Sequence, residues 1–190
     1  MNALARADLR LFERVRSAAR APVSDLVGHF SRLGEHAALW LAAGTLGALV
    51  DRPRRARWKR GVLLVGATYA LNTAIKALVR RPRPVVEGLP ALVTTPTRLS
   101  FPSAHASTSF AAARAYGQLV PATPTGLSFP SAHASTSFAA ACVYGRLLPA
   151  GPLYATAAAM ACSRVYLGVH YPSDVAAGAL LGLAMGSAAR

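Results

Sequence analysis

Residues 51–79 read DRPRRARWKRGVLLVGATYALNTAIKALV, a basic stretch followed directly by an apolar block. The first ten of these residues include six arginines and lysines, whereas residues 61–79 contain one charged side chain, Lys76. The apolar block is close to the roughly 20 helical residues that cross the hydrocarbon layer of a bilayer. Arginine and lysine concentrate in cytoplasmic loops of membrane proteins. The stretch therefore predicts a cytoplasmic loop that leads into a membrane-spanning helix.

Four further apolar blocks span residues 36–50, 134–148, 153–162 and 175–189. Hydrophobic residues make up 53% of the 190 residues and charged residues only 15%, which is too apolar for an ordinary soluble domain. One such block alone could be a buried helix of a soluble bundle, but five in so short a chain indicate an integral membrane protein. The predicted fold is all-α, a membrane-embedded bundle of about five to six helices with an amphipathic N-terminal helix.

The N-terminal residues 2–20 combine apolar side chains, such as Phe12 and Val15, with arginines at helical spacing. A helix of this kind lies on a membrane surface rather than crossing the membrane. We therefore expect an interfacial segment over residues 1–34 and a membrane domain over residues 35–190. The formal net charge is +14, but no nucleic-acid-binding motif accompanies it. Membrane lipids with anionic head groups are the expected partners of the basic loop, and nucleic acid is not.

Polar side chains suited to phosphate chemistry fall in three parts of the chain. They are Lys76-x6-Arg83-Pro84, the turns Ser103-Ala104-His105 and Ser131-Ala132-His133, and Ser163-Arg164-x5-His170-x3-Asp174. Each group alone also has a structural explanation, as a helix cap or a basic helix end. Together they indicate phosphoryl transfer to a histidine.

The spacing of the last group explains how a histidine could become a nucleophile. An imidazole attacks phosphorus only when it is neutral and correctly oriented. Asp174 lies one helical turn after His170 and could hold one ring nitrogen while the other faces the substrate. The cations Lys76, Arg83 and Arg164 would bind the phosphate oxygens and neutralise charge in the transition state. Because these side chains supply the positive charge, neither a metal ion nor another cofactor is required.

A tandem duplication doubles the middle motif. Residues 95–122 and 123–150 are near-identical copies, each 28 residues long, and LSFPSAHASTSFAAA occurs unchanged at residues 99–113 and 127–141. If both copies formed spanning helices, the second turn would emerge on the opposite membrane face from the first. Arg164 and His170 would then be separated by the bilayer from Lys76 and Arg83. A single shared site therefore requires that one copy does not span.

The second copy is the better candidate for the spanning helix. The first copy places Arg114 near the middle of its helix, where an arginine is costly in lipid, whereas Arg146 lies near the end of the second. This comparison favours Ser131 and His133 as the working pair. The first copy would then form part of a long loop over the site, where it could act as a lid. In the alternative, Ser103 and His105 function and the second copy is looped out on the cytoplasmic side.

The three motifs, with Pro130-Ser131-Ala132-His133 as the middle one, resemble the signatures of the type 2 phosphatidic acid phosphatases. The superfamily of these enzymes also contains the vanadium-dependent haloperoxidases, and the resemblance covers roughly residues 36–189. It implies a helical bundle with a metal-independent phosphatase site. By this resemblance His170 is the nucleophile, Asp174 its orienting partner and His133 the acid and base. Lys76, Arg83, Ser131 and Arg164 would hold phosphate.

This chain departs from the family pattern in two ways. Ala132 and Ala104 stand where the middle motif usually has glycine, and that motif is duplicated. The duplication leaves the identity of the acid histidine open between His133 and His105.

The expected function is hydrolysis of a phosphate monoester or diphosphate carried on a lipid, through a phosphohistidine intermediate. Polyprenyl phosphates are the favoured substrates, and phosphatidic acid and phosphatidylglycerol phosphate are alternatives. The positive-inside rule predicts that the site faces the extracytoplasmic side of a bacterial plasma membrane, although the N-terminal arginines do not fit this orientation. Other possibilities are a catalytically impaired protein that binds lipid phosphate and a vanadate-dependent haloperoxidase. The oligomeric state is left open.

Overall fold

Seven α-helices account for most of the residues in the computed structural model, which describes residues 3–117, 119 and 151–187. They are α1 (Ala3–Ser17), α2 (Ala21–Arg32), α3 (Ala38–Val50), α4 (Arg55–Val79), α5 (Ala104–Tyr116), α6 (Gly151–Tyr166) and α7 (Pro172–Ser187). No β-strand occurs in these ranges, so the all-α prediction is confirmed. The apolar block at residues 134–148 lies outside the described residues.

Helix α5, which belongs to the first copy of the repeat, forms the centre of the bundle. It packs against α4, α6 and α7, and ten of its 13 residues are buried. The expectation that the first copy forms a loop or lid over the site was therefore wrong. The reason is that α5 ends at Tyr116, so Arg114 lies in the last turn rather than in the middle of a long spanning helix. There its side chain is only partly buried.

Helix α7 approaches α5 closely along a stripe of glycines at every fourth residue, Gly178, Gly182 and Gly186. A Cβ atom on Gly178 would lie 2.5 Å from the carbonyl oxygen of Ser103, and one on Gly186 would lie 2.6 Å from the Cβ of Arg114. Small residues at this spacing allow two helix backbones to come together, as in membrane bundles. The stripe holds the N-terminal ends of α5 and α7 side by side.

The longest apolar helix is α4. With the preceding turn it spans residues 52–79, and by length and composition it could cross a membrane alone. The segments 21–32 and 35–50 pass the same test only as a pair, with a bend of 46° between them. Within the described part of the chain, the sequence blocks at residues 153–162 and 175–189 correspond to the 16-residue helices α6 and α7.

The N-terminal helices pack on the same end of the bundle as the loop before α5. Phe12 of α1 is fully buried, with its ring centroid 5.8 Å from that of Tyr171. Arg16 donates a hydrogen bond of 2.6 Å to the carbonyl of Pro90, and the amide of Leu92 donates to the carbonyl of Leu167 at 2.9 Å. Helices α1 and α2 therefore support the loops that surround the site, although they belong to the segment expected to be interfacial.

Candidate active site

The ends of three helices and two loops meet at one end of the bundle. Lys76 lies in the last turn of α4, His105 in the first turn of α5 and Arg164 in the last turn of α6, while Arg83 and His170 lie in loops. These five side chains line a cavity of about 120 Å³, which we call the cationic cleft. The structure therefore brings together Lys76 and Arg83 of the first motif, His105 of the middle motif and Arg164 and His170 of the last.

His170 is 2% exposed, and its two ring nitrogens have different surroundings. Nε2 lies 3.1 Å from Nη1 of Arg83, which also donates to the carbonyl of Val169 at 2.6 Å. Nδ1 has no hydrogen-bond partner and lies 3.7 Å from Oδ2 of Asp174. Burial and the neighbouring cations, Arg83 first, hold the pKa of His170 well below 6.5. The ring is therefore neutral near pH 7, and the lone pair of Nε2, which accepts from Arg83 in this structure, is the one suited to nucleophilic attack.

Asp174 is next to His170 but is held mainly by other groups. Its Oδ1 accepts from Nη1 of Arg81 at 2.7 Å, and its Oδ2 accepts from the amide of Tyr171 at 2.9 Å. The 3.7 Å separation from Nδ1 of His170 is too long for a hydrogen bond. The carboxylate, which is completely buried, is therefore in position to attract an N–H at Nδ1 without directly bonding to it.

Arg81 was missed by sequence reasoning, which treated it as part of a basic helix end. It bridges Asp174 to Asp8 of α1 at 2.7 Å, and its guanidinium lies 4.3 Å from the ring centroid of Tyr171. A sequence signal existed, because Arg81 and Arg83 alternate with Pro82 and Pro84. Prolines keep a segment extended, and alternate residues of an extended segment share a face.

Two cations of the cleft, Lys76 and Arg164, are buried and the third, Arg83, is partly buried, but none is neutralised by a carboxylate. Lys76 donates to the carbonyls of Leu99 and Ser100 at 3.1 and 3.3 Å. Arg164 is 4% exposed, and its Nε has no hydrogen-bond partner. Burial lowers the pKa of Arg83 to about 10, so it remains charged at neutral pH. Among the described residues, none of the three forms a salt bridge. Buried charges normally require a counterion, so the cleft is suited to an anionic ligand.

His105, from the first copy of the repeat, completes the cleft. Its Nε2 lies 3.1 Å from the carbonyl oxygen of Ser31, and Ser103 caps the N-terminus of its helix by accepting from the amide of Ala106. The preferred acid motif of the sequence prediction, Ser131 and His133, lies outside the described residues. In this structure the first copy occupies the position that the prediction assigned to the second.

Ser31 of α2 contacts two members of the cleft and belongs to none of the motifs. Its hydroxyl accepts from Nη1 of Arg164 at 2.6 Å and from the hydroxyl of Ser163 at 3.3 Å. Its carbonyl faces His105. A lone serine within a helix carries no sequence signal of this role, because Ser31 and Arg164 are 133 residues apart.

Comparison with known proteins finds a family model, named relatives and solved structures of similar fold. A family model described as PAP2 superfamily matches residues 114–190, a range that includes the second copy of the repeat and not Lys76, Arg83 or His105. Decaprenylphosphoryl-5-phosphoribose phosphatase of Mycobacterium tuberculosis (strain ATCC 25618 / H37Rv) is 39% identical over 165 residues, covering 83% of this chain and 73% of that protein. The enzyme of the same name from Mycolicibacterium smegmatis is 38% identical over 154 residues, covering 78% and 67%.

Two solved structures share the fold. LpxE of Aquifex aeolicus has a TM-score of 0.68 and 22% identity, with 95% of this chain and 93% of that chain covered. A transmembrane PAP2-type phosphatidylglycerolphosphate phosphatase from Bacillus subtilis has a TM-score of 0.74 and 21% identity, with 100% and 85% covered. These similarities show a helical-bundle fold, and α4 is long and apolar enough to cross a membrane. The two named relatives are 39% and 38% identical to this chain over 73% and 67% of their own length, so this chain is a phosphatase that belongs to the PAP2 superfamily.

Proposed function

We propose that this phosphatase hydrolyses a phosphate monoester on a polyprenyl-linked membrane lipid, with His170 as the nucleophile and without a metal ion. One observation carries the proposal. Three cations without carboxylate partners, two of them buried and Arg83 partly buried, surround a neutral imidazole whose Nε2 lies 3.1 Å from Arg83. A phosphate in the cleft would supply the missing negative charge and would lie beside the attacking nitrogen.

In the first step, the lone pair of Nε2 of His170 forms a bond to phosphorus and the bond to the leaving oxygen breaks. The leaving alkoxide takes a proton from a histidine acid, and the lipid alcohol departs. In the second step, the same histidine removes a proton from water, which attacks phosphorus. The P–N bond breaks, inorganic phosphate is released and Nε2 regains its lone pair. Lys76, Arg83 and Arg164 stabilise the phosphoryl oxygens in both transition states.

We assign the acid and base role to His105 rather than to His133. His105 lines the cleft with His170, Arg83 and Arg164, and its Nε2 is engaged by the carbonyl of Ser31. Nδ1 is therefore the nitrogen that remains for proton transfer. The family-model match over residues 114–190 favours the second copy, so the two assignments make opposite predictions for alanine variants.

The charge of the cleft supports the proposal of metal independence. Lys76, Arg83 and Arg164 would repel a divalent cation and already provide the positive charge that a metal ion would add. We expect phosphate release to continue in the presence of EDTA.

The substrate class is inferred from the relatives. Two of them are named for a decaprenyl-linked phosphoribose, which supports a polyprenyl carrier. We propose that the cleft faces the extracytoplasmic side. Lys76 lies near the C-terminal end of α4. The basic residues 52–60, expected to form a loop, instead form a helical turn and the first part of α4 at the other end, and arginine-rich ends of spanning helices remain in the cytoplasm.

The test is phosphate release by the detergent-purified protein, with EDTA present. The substrates are polyprenyl monophosphate, a polyprenyl-phosphoryl-pentose phosphate, phosphatidic acid and phosphatidylglycerol phosphate. We expect the polyprenyl substrates to be preferred and His170→Ala to remove activity. His29→Ala, which removes an exposed histidine of α2, is the matched control and should behave as the wild type.

Comparison of His105→Ala with His133→Ala decides between the two copies. Our assignment predicts a loss of about 100-fold or more for His105→Ala, the usual contribution of a general acid, and little change for His133→Ala. The reverse result would assign the role to the second copy. Binding of phosphate-bearing lipid without release by the wild type would indicate a catalytically impaired protein instead.

A further inference from the structure

A second cavity of about 450 Å³ adjoins the cationic cleft, and Glu35 and Arg164 line both. We call it the side cavity. Its remaining walls come from α2 and from the loop before α5, and they are Gly28, Ser31, Arg32, Leu92, Val93 and Thr94. None of these residues belongs to the phosphate motifs.

The two cavities differ in size in a way that suits different parts of one substrate. The cleft's volume of about 120 Å³ equals that of about four waters at roughly 30 Å³ each, which is enough for a phosphate group and little more. The side cavity has the volume of about 15 waters on the same scale, within the usual range of ligand pockets. A group esterified to a phosphate in the cleft must lie next to the cleft, and the side cavity is the adjoining space.

The chemistry of the walls selects the kind of group. Arg32 and Glu35 are charged and Ser31 and Thr94 carry hydroxyls, so a hydrocarbon tail placed there would remove these groups from water without replacing their hydrogen bonds. A sugar can bond to such groups through its hydroxyls. Its C–H face can at the same time contact the apolar wall of Leu92 and Val93.

The walls are held in place by contacts outside the cavity. The amide of Leu92 donates to the carbonyl of Leu167 at 2.9 Å, and Arg16 donates to the carbonyl of Pro90 at 2.6 Å. Arg164, at the junction with the cleft, is buried and has an Nε without a hydrogen-bond partner. We propose that the side cavity is a subsite for a hydroxylated leaving group, a sugar or polyol that carries the scissile phosphate. This inference rests on the proposed function.

Gly28 offers a direct way to block the side cavity. A Cβ at this position would lie 3.7 Å from Cγ1 of Val93, an ordinary contact, so Gly28→Ala should fold and leave the cavity open. Gly28→Leu adds further carbons, which would occupy the space between α2 and the loop. The two variants share the change in helix propensity and differ in the volume that they fill.

Turnover gives the first readout. We expect Gly28→Leu to lower kcat/KM for a polyprenyl-phosphoryl-pentose phosphate by about tenfold or more, the equivalent of one hydrogen bond to a charged group. The value for polyprenyl monophosphate should change by less than about twofold, because no sugar is present to bind. Arg32→Ala and Thr94→Val should show the same selectivity, whereas Arg20→Ala, at the other end of α2, should not. Equal losses on both substrates would overturn the proposal.

Binding gives a second readout that does not depend on turnover. The probes are ribose 5-phosphate and inorganic phosphate, measured by calorimetry on His170→Ala protein. In the Gly28→Ala background we expect ribose 5-phosphate to bind about tenfold more tightly than inorganic phosphate. In the Gly28→Leu background the affinities for ribose 5-phosphate and inorganic phosphate should be equal. Equal affinities in the Gly28→Ala background would overturn the subsite. Selective binding without phosphate release by the wild type would contradict the proposed function and leave the subsite supported.

Discussion

Removal of the Ser31 hydroxyl tests whether a residue outside the motifs positions Arg164. The Ser31 hydroxyl accepts from Nη1 of Arg164 at 2.6 Å, and both residues are almost completely buried. A hydrogen bond to a charged group contributes about 1.5–3 kcal/mol. If the transition state requires the full contribution, Ser31→Ala should lower kcat/KM by about 10- to 150-fold, since 1.4 kcal/mol corresponds to a factor of ten.

Phosphate release measures this loss, and inhibition by orthovanadate separates positioning from folding. Vanadate adopts the five-coordinate geometry of phosphoryl transfer, so its inhibition constant should rise in parallel with the loss of kcat/KM. Ser24→Ala removes a hydroxyl of the same helix that donates to the carbonyl of Arg20 and should leave both quantities unchanged. The double variant Ser31→Ala/Arg164→Lys should have a kcat/KM only slightly below that of Arg164→Lys alone, because the two side chains act as a unit.

A positioning role for Ser31 is excluded if Ser31→Ala lowers the melting temperature but leaves kcat/KM and vanadate inhibition within about twofold of the wild type. Ser31 would then stabilise the packing of α2 without orienting Arg164.

Three further perturbations have definite outcomes. Gly182→Val should lower the free energy of unfolding by about 3 kcal/mol or more, because a Cβ there would lie 2.9 Å from the backbone nitrogen of Ala111 in α5. Thermal unfolding measures the effect, and the control Gly66→Ala should lose no stability because the space around Gly66 is open. Burial, then the surrounding cations, holds the pKa of His170 well below 6.5. As the pH falls, His170 therefore takes up a proton in the unfolded chain before it does so in the folded protein, and the free energy of unfolding should fall below about pH 6.5. Denaturant titrations at several pH values should show a weaker pH dependence of the free energy of unfolding for His170→Gln. Arg81→Gln leaves the buried carboxylate of Asp174 without its cation and should lower the free energy of unfolding by about 3–5 kcal/mol. Arg80→Gln should leave the free energy of unfolding unchanged in the same assay.

Much of the site could be predicted because its motifs lie at helix ends. Lys76 lies near the C-terminal end of one apolar block, and Asp174 directly precedes another. Once the blocks are taken as helices of one bundle, both side chains are expected at helix ends. The predicted start of the last block, residue 175, was late, because Pro172 begins α7. Proline is well tolerated in the first turn of a helix, where its missing N–H costs nothing.

The rest depends on contacts that no local pattern encodes. The choice of copy could use only the few positions at which the repeats differ, Arg114 among them, and those positions did not predict that α5 ends at Tyr116. Ser31 and Arg81 act through side chains 133 and 93 residues away. Their roles arise from the way α2 and the loop after α4 pack around the cleft.

The most direct test of the account is a search for the covalent intermediate. Labelled polyprenyl-phosphoryl-pentose phosphate is mixed with the enzyme, quenched in alkali within the first turnover and analysed by peptide mapping. The account predicts an acid-labile phosphoryl group on the peptide that contains His170, and no such label in His170→Ala. Label on a different residue, or the same label in the variant, would contradict it.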